Sequence, residues 1–478
     1  MAGDGADGVH RGPLESFAQR ARGAIGVLRG NTPPAVVIAP RERDVEADDR
    51  IAQDVLELIM RMGEVLVSSG SPVAGVTATM LRVAAAYGLT SGQVDITFTS
   101  ITVSVTRDDG QPMTAMRIVK VRAADYSRLE EIYRLADDAV SGLPLDTALD
   151  RLDEIVHAPH PYRRWVATAA LAGMAVGVAG LLGGGWVVAL IAAVATAVID
   201  QMLRVLSHRS LPSFFQHAAG GAFVTCVALV VALVTPYVQV NTSDVRPSLV
   251  VGSGIMVLLA GLGLVGAVQD AISGHYLTAA ARNFEVLLQT VAIVIGVALV
   301  LDVARRVGVD MSVVEQPNQI APSFALVPLG AVVAGFWAMS SYARWRASLM
   351  AAFAGAVASA VFIAARHADL GPAVSSALAT MLVGAIADVS GQRLKVPTLV
   401  IATAGVVPLL PGLAIYNAMS VLVGSSVVQG LALLLGAGTT GLALAAGVAL
   451  GSFVARPLRR GVDRWDRRVR RWSQGLRD

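Results

Sequence analysis

Between Trp165 and Val454 the chain is a succession of long apolar runs separated by short polar breaks. Ten segments can be drawn, approximately 165–182, 186–199, 214–238, 249–269, 284–301, 322–340, 347–365, 372–387, 396–416 and 427–454. Apolar runs of about 15–25 residues match the hydrocarbon thickness of a bilayer. Inside a bilayer the backbone must satisfy its own hydrogen bonds, which leaves helices and closed barrels as spanning structures. The expected fold is a polytopic α-helical membrane protein of about ten transmembrane helices, preceded by a small soluble α+β domain. Composition agrees, because only 15% of residues are charged, where a soluble globular chain carries about 25%. Forty-seven glycines beside 5% aromatics suit membrane helices packed at close range.

The soluble domain is expected over residues 49–160. Ile51, Val55, Leu58, Met62 and Val65 recur at helical spacing, and so do Val73, Val76, Met80, Val83 and Tyr87. Ser71-Pro72 predicts the start of the second helix, with a capping side chain and a proline at the first helical position. Ile96 and Phe98 then alternate with polar residues, and Ile101, Val103 and Val105 continue in the opposite phase. That slip predicts a bulge or a break between strands near Ser100. Asp108-Asp109-Gly110 is a turn signal, with Met113–Val121 as the return strand. Two amphipathic helices follow, around Asp125–Val140 and Asp146–His157. Residues 1–48 read as a flexible leader without the apolar segment of a cleaved signal peptide.

An even number of spans puts both ends of the array on one side. With that side cytoplasmic, the inner loops hold Arg204, Arg209, Arg282, Arg344, Arg346, Arg393 and Lys395, against Arg246, Arg305, Arg306 and Arg366 outside. Nine arginines between Arg456 and Arg477 add to the inner side, so both termini are expected in the cytoplasm. In that tail, residues 456–478, Leu458, Val462, Trp465, Val469 and Trp472 gather on one helical face. Arginines cover much of the rest, which is the pattern of a helix lying on membrane lipids. The alternative is a seam between protomers of a homo-oligomer. No aromatic platform accompanies the tail, so nucleic acid is not an expected partner. The single cysteine, Cys226, excludes an intrachain disulfide and reads as packed core.

The array also repeats. VRPSLVVGSGIMVLLAGLGLVGAV (245–268) parallels KVPTLVIATAGVVPLLPGLAIYNAM (395–419), matching Pro247 to Pro397 and Gly261 to Gly412. Five spans per half, over 161–310 and 311–455, is an odd number, so the halves would enter the membrane in opposite directions. Inverted repeats of this kind are a transporter signature.

Ionisable residues lie near the ends of the runs: Asp200, Asp270, Glu285 and Asp388. The plain reading puts them in the headgroup zone, with Arg282 and Glu285 paired at i,i+3. A charge truly at membrane depth costs roughly 2.5–3.5 kcal/mol on insertion scales, so one that lies inside is kept for function. Gln216-His217 and Gln289-Thr290 fall within apolar runs and are candidates to line a cavity or bond between helices. VVPLLPG (406–412) places Pro408 and Pro411 in a membrane helix, which frees backbone carbonyls beside a cavity or packed protein. The half-helix after Gly412 would point its positive end at a substrate carboxylate, with Tyr416 and Asn417 adding polar contacts.

GAVQDAISGHYLTAAAR (266–282), GGGW (183–186), VVPLLPG and SSGSP (68–72) together resemble the threonine/serine exporter family of bacteria. The resemblance covers about residues 50 to 454. It implies a soluble N-terminal domain, ten spans, and functional motifs at Asp270, Gly274 and Arg282 in the first half and Pro408, Pro411 and Gly412 in the second. Where the family's first-half motif carries two prolines, this chain has Ala260 and Gly263. The resemblance implies a secondary exporter of threonine and serine across the bacterial inner membrane, driven by protons, with no cofactor and no metal. Asp270 or Glu285 would meet the substrate ammonium. Export of a small dicarboxylate is the runner-up, for which Arg282 is the cation. No phosphate-binding loop for ATP is present. A hydrolase in 49–160 is disfavoured, because that segment lacks both a G-x-S-x-G elbow and any histidine before His157. A passive channel is the remaining alternative.

Overall fold

The computed structural model describes residues 45–106, 112–119, 124–237, 246–258, 261–308, 323–394, 396–424 and 426–474. Residues 1–44 of the leader and the Asp108-Asp109-Gly110 turn lie outside the described residues.

The first apolar stripes fold as α1 (Val45–Ser68) and α2 (Val73–Ala86). The phase slip near Ser100 is a hairpin turn: Ile96 ends β1 (Gly92–Ile96) and pairs with Ile101 in β2 (Ser100–Thr106). The return strand β3 (Pro112–Ile118) completes an antiparallel sheet in the order β1-β2-β3. Then come α3 (Tyr126–Val140), capped by Asp125 accepting from the Ser127 and Arg128 amides, and α4 (Leu145–His157). Val55, Leu58 and Met62 of α1 pack with Ile101 and Val103 of β2 and Leu129 and Ile132 of α3. Ser71 does not supply the expected side-chain cap of α2, whose N-cap is Pro72. The acceptor for the first amide comes from a residue far along the chain.

The apolar array follows as α5 (Arg164–Leu181), α6 (Trp186–His208), α7 (Ser213–Val234), α8 (Pro247–Leu258), α9 (Gly261–Ile272) and α10 (Tyr276–Arg306). Its second part is α11 (Ser323–Ser340), α12 (Trp345–His367), α13 (Pro372–Leu394), α14 (Thr398–Val406), α15 (Gly412–Gly424) and α16 (Val427–Gln474). Among the described residues, seven helices are long and apolar enough to cross a membrane. The run 249–269 holds α8 and α9, with residues 259–260 between them outside the described residues, and 396–416 is α14, a 3-10 turn at Val407–Leu409 and the start of α15. The second part therefore presents three helices, an interrupted fourth and a fifth. α7 packs on α10 as α13 packs on α16, and α5 packs on α11. Across the two parts, α8 packs against α15 and α9 against α14.

Glycines set these contacts. A Cβ on Gly221 would lie 2.5 Å from the Ile293 carbonyl oxygen, and one on Gly412 would lie 3.2 Å from Met256 Cβ. Gly173, Gly177 and Gly180 of α5 face Phe336, Val333 and Leu329 of α11. Without a hydrophobic drive between helices in lipid, such close approach supplies the packing energy. The core is continuous with the N-terminal region, running from Val55 and Tyr126 to Val400 and Val448.

Several expectations change. Cys226 is exposed, on the outer side of α7 rather than in the core. Gln216, His217 and Thr290 bond to nearby backbone at Leu211, Ser213 and Val286, so none bridges two helices through those bonds. The geometric reason is that each side chain reaches a carbonyl four or five residues earlier. Asp200 does pair at the end of its run, with Arg204 and with Thr168 Oγ1 at 2.6 Å.

Candidate functional site

α9 ends in a turn at Ser273 and Gly274, where Gly274 has φ +88°, a left-handed conformation that glycine adopts without strain. The turn folds α10 back beside α9 and brings Arg282 to Asp270, with Nη1 and Oδ2 3.1 Å apart. Asp270 is 0% exposed and Arg282 5%. A Cβ on Gly266 would lie 2.7 Å from Arg282 Nη1, so that position keeps α9 bare where the guanidinium passes.

Neither charge faces the headgroups. Asp270 Oδ1 accepts from the Val73 amide at 2.7 Å, and Arg282 donates to the Ser71 carbonyl at 3.0 Å. The carboxylate thus caps α2 from a residue 197 positions away, at the helix end where the dipole favours negative charge. Thr278 Oγ1 donates to the Ile96 carbonyl at 3.1 Å, fixing the same turn to β1. Glu285 lies on α10 one turn beyond Arg282.

The second part of the array holds the N-terminal region as well. Tyr126 donates its amide to the Ser341 carbonyl at 3.0 Å, and its hydroxyl lies 3.1 Å from Thr403 Oγ1. Its ring sits 5.7 Å from that of Trp337. Burial pushes the Tyr126 hydroxyl well above its ordinary pKa. Arg344 pairs with Glu131.

Two cavities open between these layers. The outer one, of 710 Å³, lies among α2, α3 and the α13–α14 connection, with Arg82, Glu130, Arg134, Asp137 and Thr398 on its walls. Burial pushes the Glu130 carboxyl up, while Arg134 and Arg344 pull it back. The inner one, of 440 Å³, shares Gly75, Tyr133 and Thr398 with it and reaches Gln269, Ala402 and Ala449.

The interruption of the second part follows α14. Pro408 is in the 3-10 turn, Leu410 is extended, and Pro411 precedes α15, which begins at Gly412 against Met256. Met256 of α8 packs with Met174, Val178, Val333 and Val407, an apolar cluster joining α8 to α5, α11 and the 3-10 turn. Asn417 on α15 has a buried Oδ1 that meets no donor among the described residues. Gly261 opens α9, and a Cβ on Gly263 would lie 2.5 Å from Val286 Cγ2.

The expected site residues therefore form two groups. Asp270, Arg282 and Gly274, with Glu285 nearby, clasp the N-terminal region. Gly261 opens α9, and Pro408, Pro411, Gly412 and Asn417 mark the interrupted segment of the second part. Sequence reasoning missed the Val73 amide and Ser71 carbonyl, because backbone groups leave no side-chain signature. It also missed Gln269, the immediate neighbour of Asp270 in the chain.

An interrupted helix packed across the two parts of an apolar bundle, with cavities beside its start, is the architecture of a membrane transport protein. Comparison with known proteins agrees. The family described as "Putative threonine/serine exporter" matches residues 57–304, and "Threonine/Serine exporter, ThrE" matches 326–454. A probable threonine/serine exporter of Mycobacterium tuberculosis is 40% identical over 454 residues, 93% of this chain and 84% of that protein. The threonine/serine exporter of Corynebacterium glutamicum is 35% identical over 434 residues, 90% of this chain and 87% of that protein. The chain belongs to the threonine/serine exporter family. These relatives are named as exporters, not enzymes. No solved structure matches.

Proposed function

We propose that the protein is a secondary exporter of threonine and serine in the bacterial inner membrane, driven by the proton gradient, with both termini cytoplasmic. The observation that carries this reading is the crosswise meeting of the fourth segments of the two parts, α8 with α15 and α9 with α14. Such pairing is what two inverted five-helix repeats would produce, and inverted repeats permit alternating access around a central site. Ten crossings are favoured by the N-terminal contacts. That region bonds to Thr278 just after the α9–α10 turn and to Ser341 at the α11–α12 turn, and it shares the outer cavity with Thr398 at the start of α14. Two helices separate each of these turns from the next, as expected if all three lie on one face.

In this reading the cavities are the cytoplasmic approach, and the Met256 cluster is the barrier to the far side. Asp270 is the proton-coupling candidate: its protonation would weaken both its hold on Arg282 and its cap on α2. The helix ends freed around Pro408, Pro411 and Gly412 would meet the substrate after the barrier parts. Counterflow in proteoliposomes tests the proposal. Internal threonine or serine should drive uptake of labelled threonine, and succinate should not. A proton gradient should add to the flux. Uptake that succinate drives and threonine does not would overturn it.

The tail carries a separate expectation. α16 continues to Gln474, and we infer that its basic end rests on anionic lipid. A peptide of residues 456–474 should gain helicity with anionic vesicles and lose it at high salt. Helicity that rises instead with peptide concentration alone would favour a seam between protomers.

A further inference from the structure

We propose that the protein holds an anionic phospholipid at the joint between its N-terminal region and the membrane array, with the lipid phosphate received by Arg163, Arg164 and Arg346. The first two stand where the chain enters α5, Arg163 as its N-cap and Arg164 as its first residue. Arg346 is the second residue of α12, whose N-cap is Arg344. Packing brings these two helix starts together. The ring of His160, just before α5, stacks on that of Tyr342, just before α12, with 4.2 Å between centroids and 14° between planes. Near the end of α6, Arg204 lies within electrostatic reach of both Arg164 and Tyr342. Its partner Asp200 meets Thr168, one turn along α5 from Arg164.

The carboxylates of this joint are already engaged. Asp200 pairs with Arg204, Glu131 with Arg134 and Arg344, and Asp125 with Arg128 and His160. Among the described residues, Arg163, Arg164 and Arg346 have no carboxylate partner, and all three are exposed. At the other end of α12, by contrast, Arg366 donates to the Leu370 carbonyl at 2.7 Å. A guanidinium without a counter-ion offers a planar fork of donors that matches phosphate oxygens.

Aromatic residues identify the source of that phosphate. The same two helix starts carry Trp165 and Trp345, 65% and 63% exposed. Arg164–Leu181 and Trp345–His367 are both long and apolar enough to cross a membrane, and tryptophans at the ends of spans sit at headgroup level. Arg346 lies over the Trp345 ring, 5.4 Å from its centre, so cation and aromatic anchor occupy one place. Basic pockets between spanning helices suit anionic lipid head groups, and the tails would continue along the apolar faces beside the tryptophans. A free phosphate would engage the arginines alone. Seated there, the lipid joins α5 and α6 of the first part to α12 of the second.

The test uses the full chain in nanodiscs of phosphatidylcholine, with and without phosphatidylglycerol. The wild type should retain phosphatidylglycerol in native mass spectrometry, and that lipid should raise its unfolding midpoint. Arg163→Gln, Arg164→Gln and Arg346→Gln together should weaken the binding about a hundredfold, from the contribution of three basic residues near an anionic surface. Removal of residues 456–478 should leave retention in place, which separates this site from the basic tail. No retention by the wild type, equal retention by the triple variant, or loss on removing the tail would overturn the proposal. Should the triple variant fail to fold, brominated lipids decide. Brominated phosphatidylglycerol should quench tryptophan fluorescence more than brominated phosphatidylcholine does, and Trp165→Phe with Trp345→Phe should remove the difference. A difference missing from the wild type, or unchanged in that variant, would contradict the site.

Discussion

Methionine in place of Arg282 is expected to destabilise the protein by about 3–5 kcal/mol, the usual cost of stripping one partner from a buried ion pair. Asp270 has no exposed surface, so the substitution leaves a buried carboxylate without its counter-ion, and Ser71 loses its donor. The N-terminal region should then part from α9 and α10, seen as faster proteolysis between α2 and β1 and a lower unfolding midpoint. The double variant Asp270→Asn with Arg282→Met removes both charges and keeps an acceptor for the Val73 amide. It should recover most of the loss, a coupling that a thermodynamic cycle measures directly. If the single and double variants unfold at the same midpoint, the pair does not hold the two layers together.

The second large effect is expected at Gly451. A Cβ there would fall inside the van der Waals envelope of the Met381 carbonyl oxygen and near the Ala385 amide, which belong to the backbone of α13. Backbone cannot rotate away as a side chain can, so Gly451→Ala must push α16 off α13. Overpacking of this kind costs about 1–3 kcal/mol and sometimes more. At Gly436, on the same helix, an added Cβ would meet nothing within 4 Å. Alanine there should be neutral or stabilising by up to about 1 kcal/mol through helix propensity. Unfolding in nanodiscs compares the two, and equal midpoints would contradict the close α13–α16 packing.

Much of the framework could be read from periodicity. Val55, Leu58 and Met62 mark α1, and the opposed phases of Ile96 and Ile101 mark the hairpin. Pro408 and Pro411 announce the interruption before α15, because proline removes an amide donor and clashes with the preceding turn. No such signal marks the matching stretch of the first part, where Ala260 and Gly263 stand in place of the family's prolines. Cys226 shows a general limit: lipid is as apolar as protein, so hydrophobicity does not separate the inner from the outer side of a membrane helix. Asp270 and Arg282 stood out as charges, but their partners are the backbone of Ser71 and Val73, about 200 residues away. Only the fold brings those groups together.

The central claim is that α8, α9 and the interrupted α14–α15 segment line a pathway that opens alternately to the two sides. Asn417 reports on it, because it lies on α15 just beyond the interruption. In a Cys226→Ser background, Asn417→Cys should react with an impermeant maleimide applied from one side of the membrane. Threonine should change that rate, and Pro411→Leu, which favours a continuous helix, should suppress the reaction. A cysteine at this position that reacts from neither side, with or without threonine, would contradict the account.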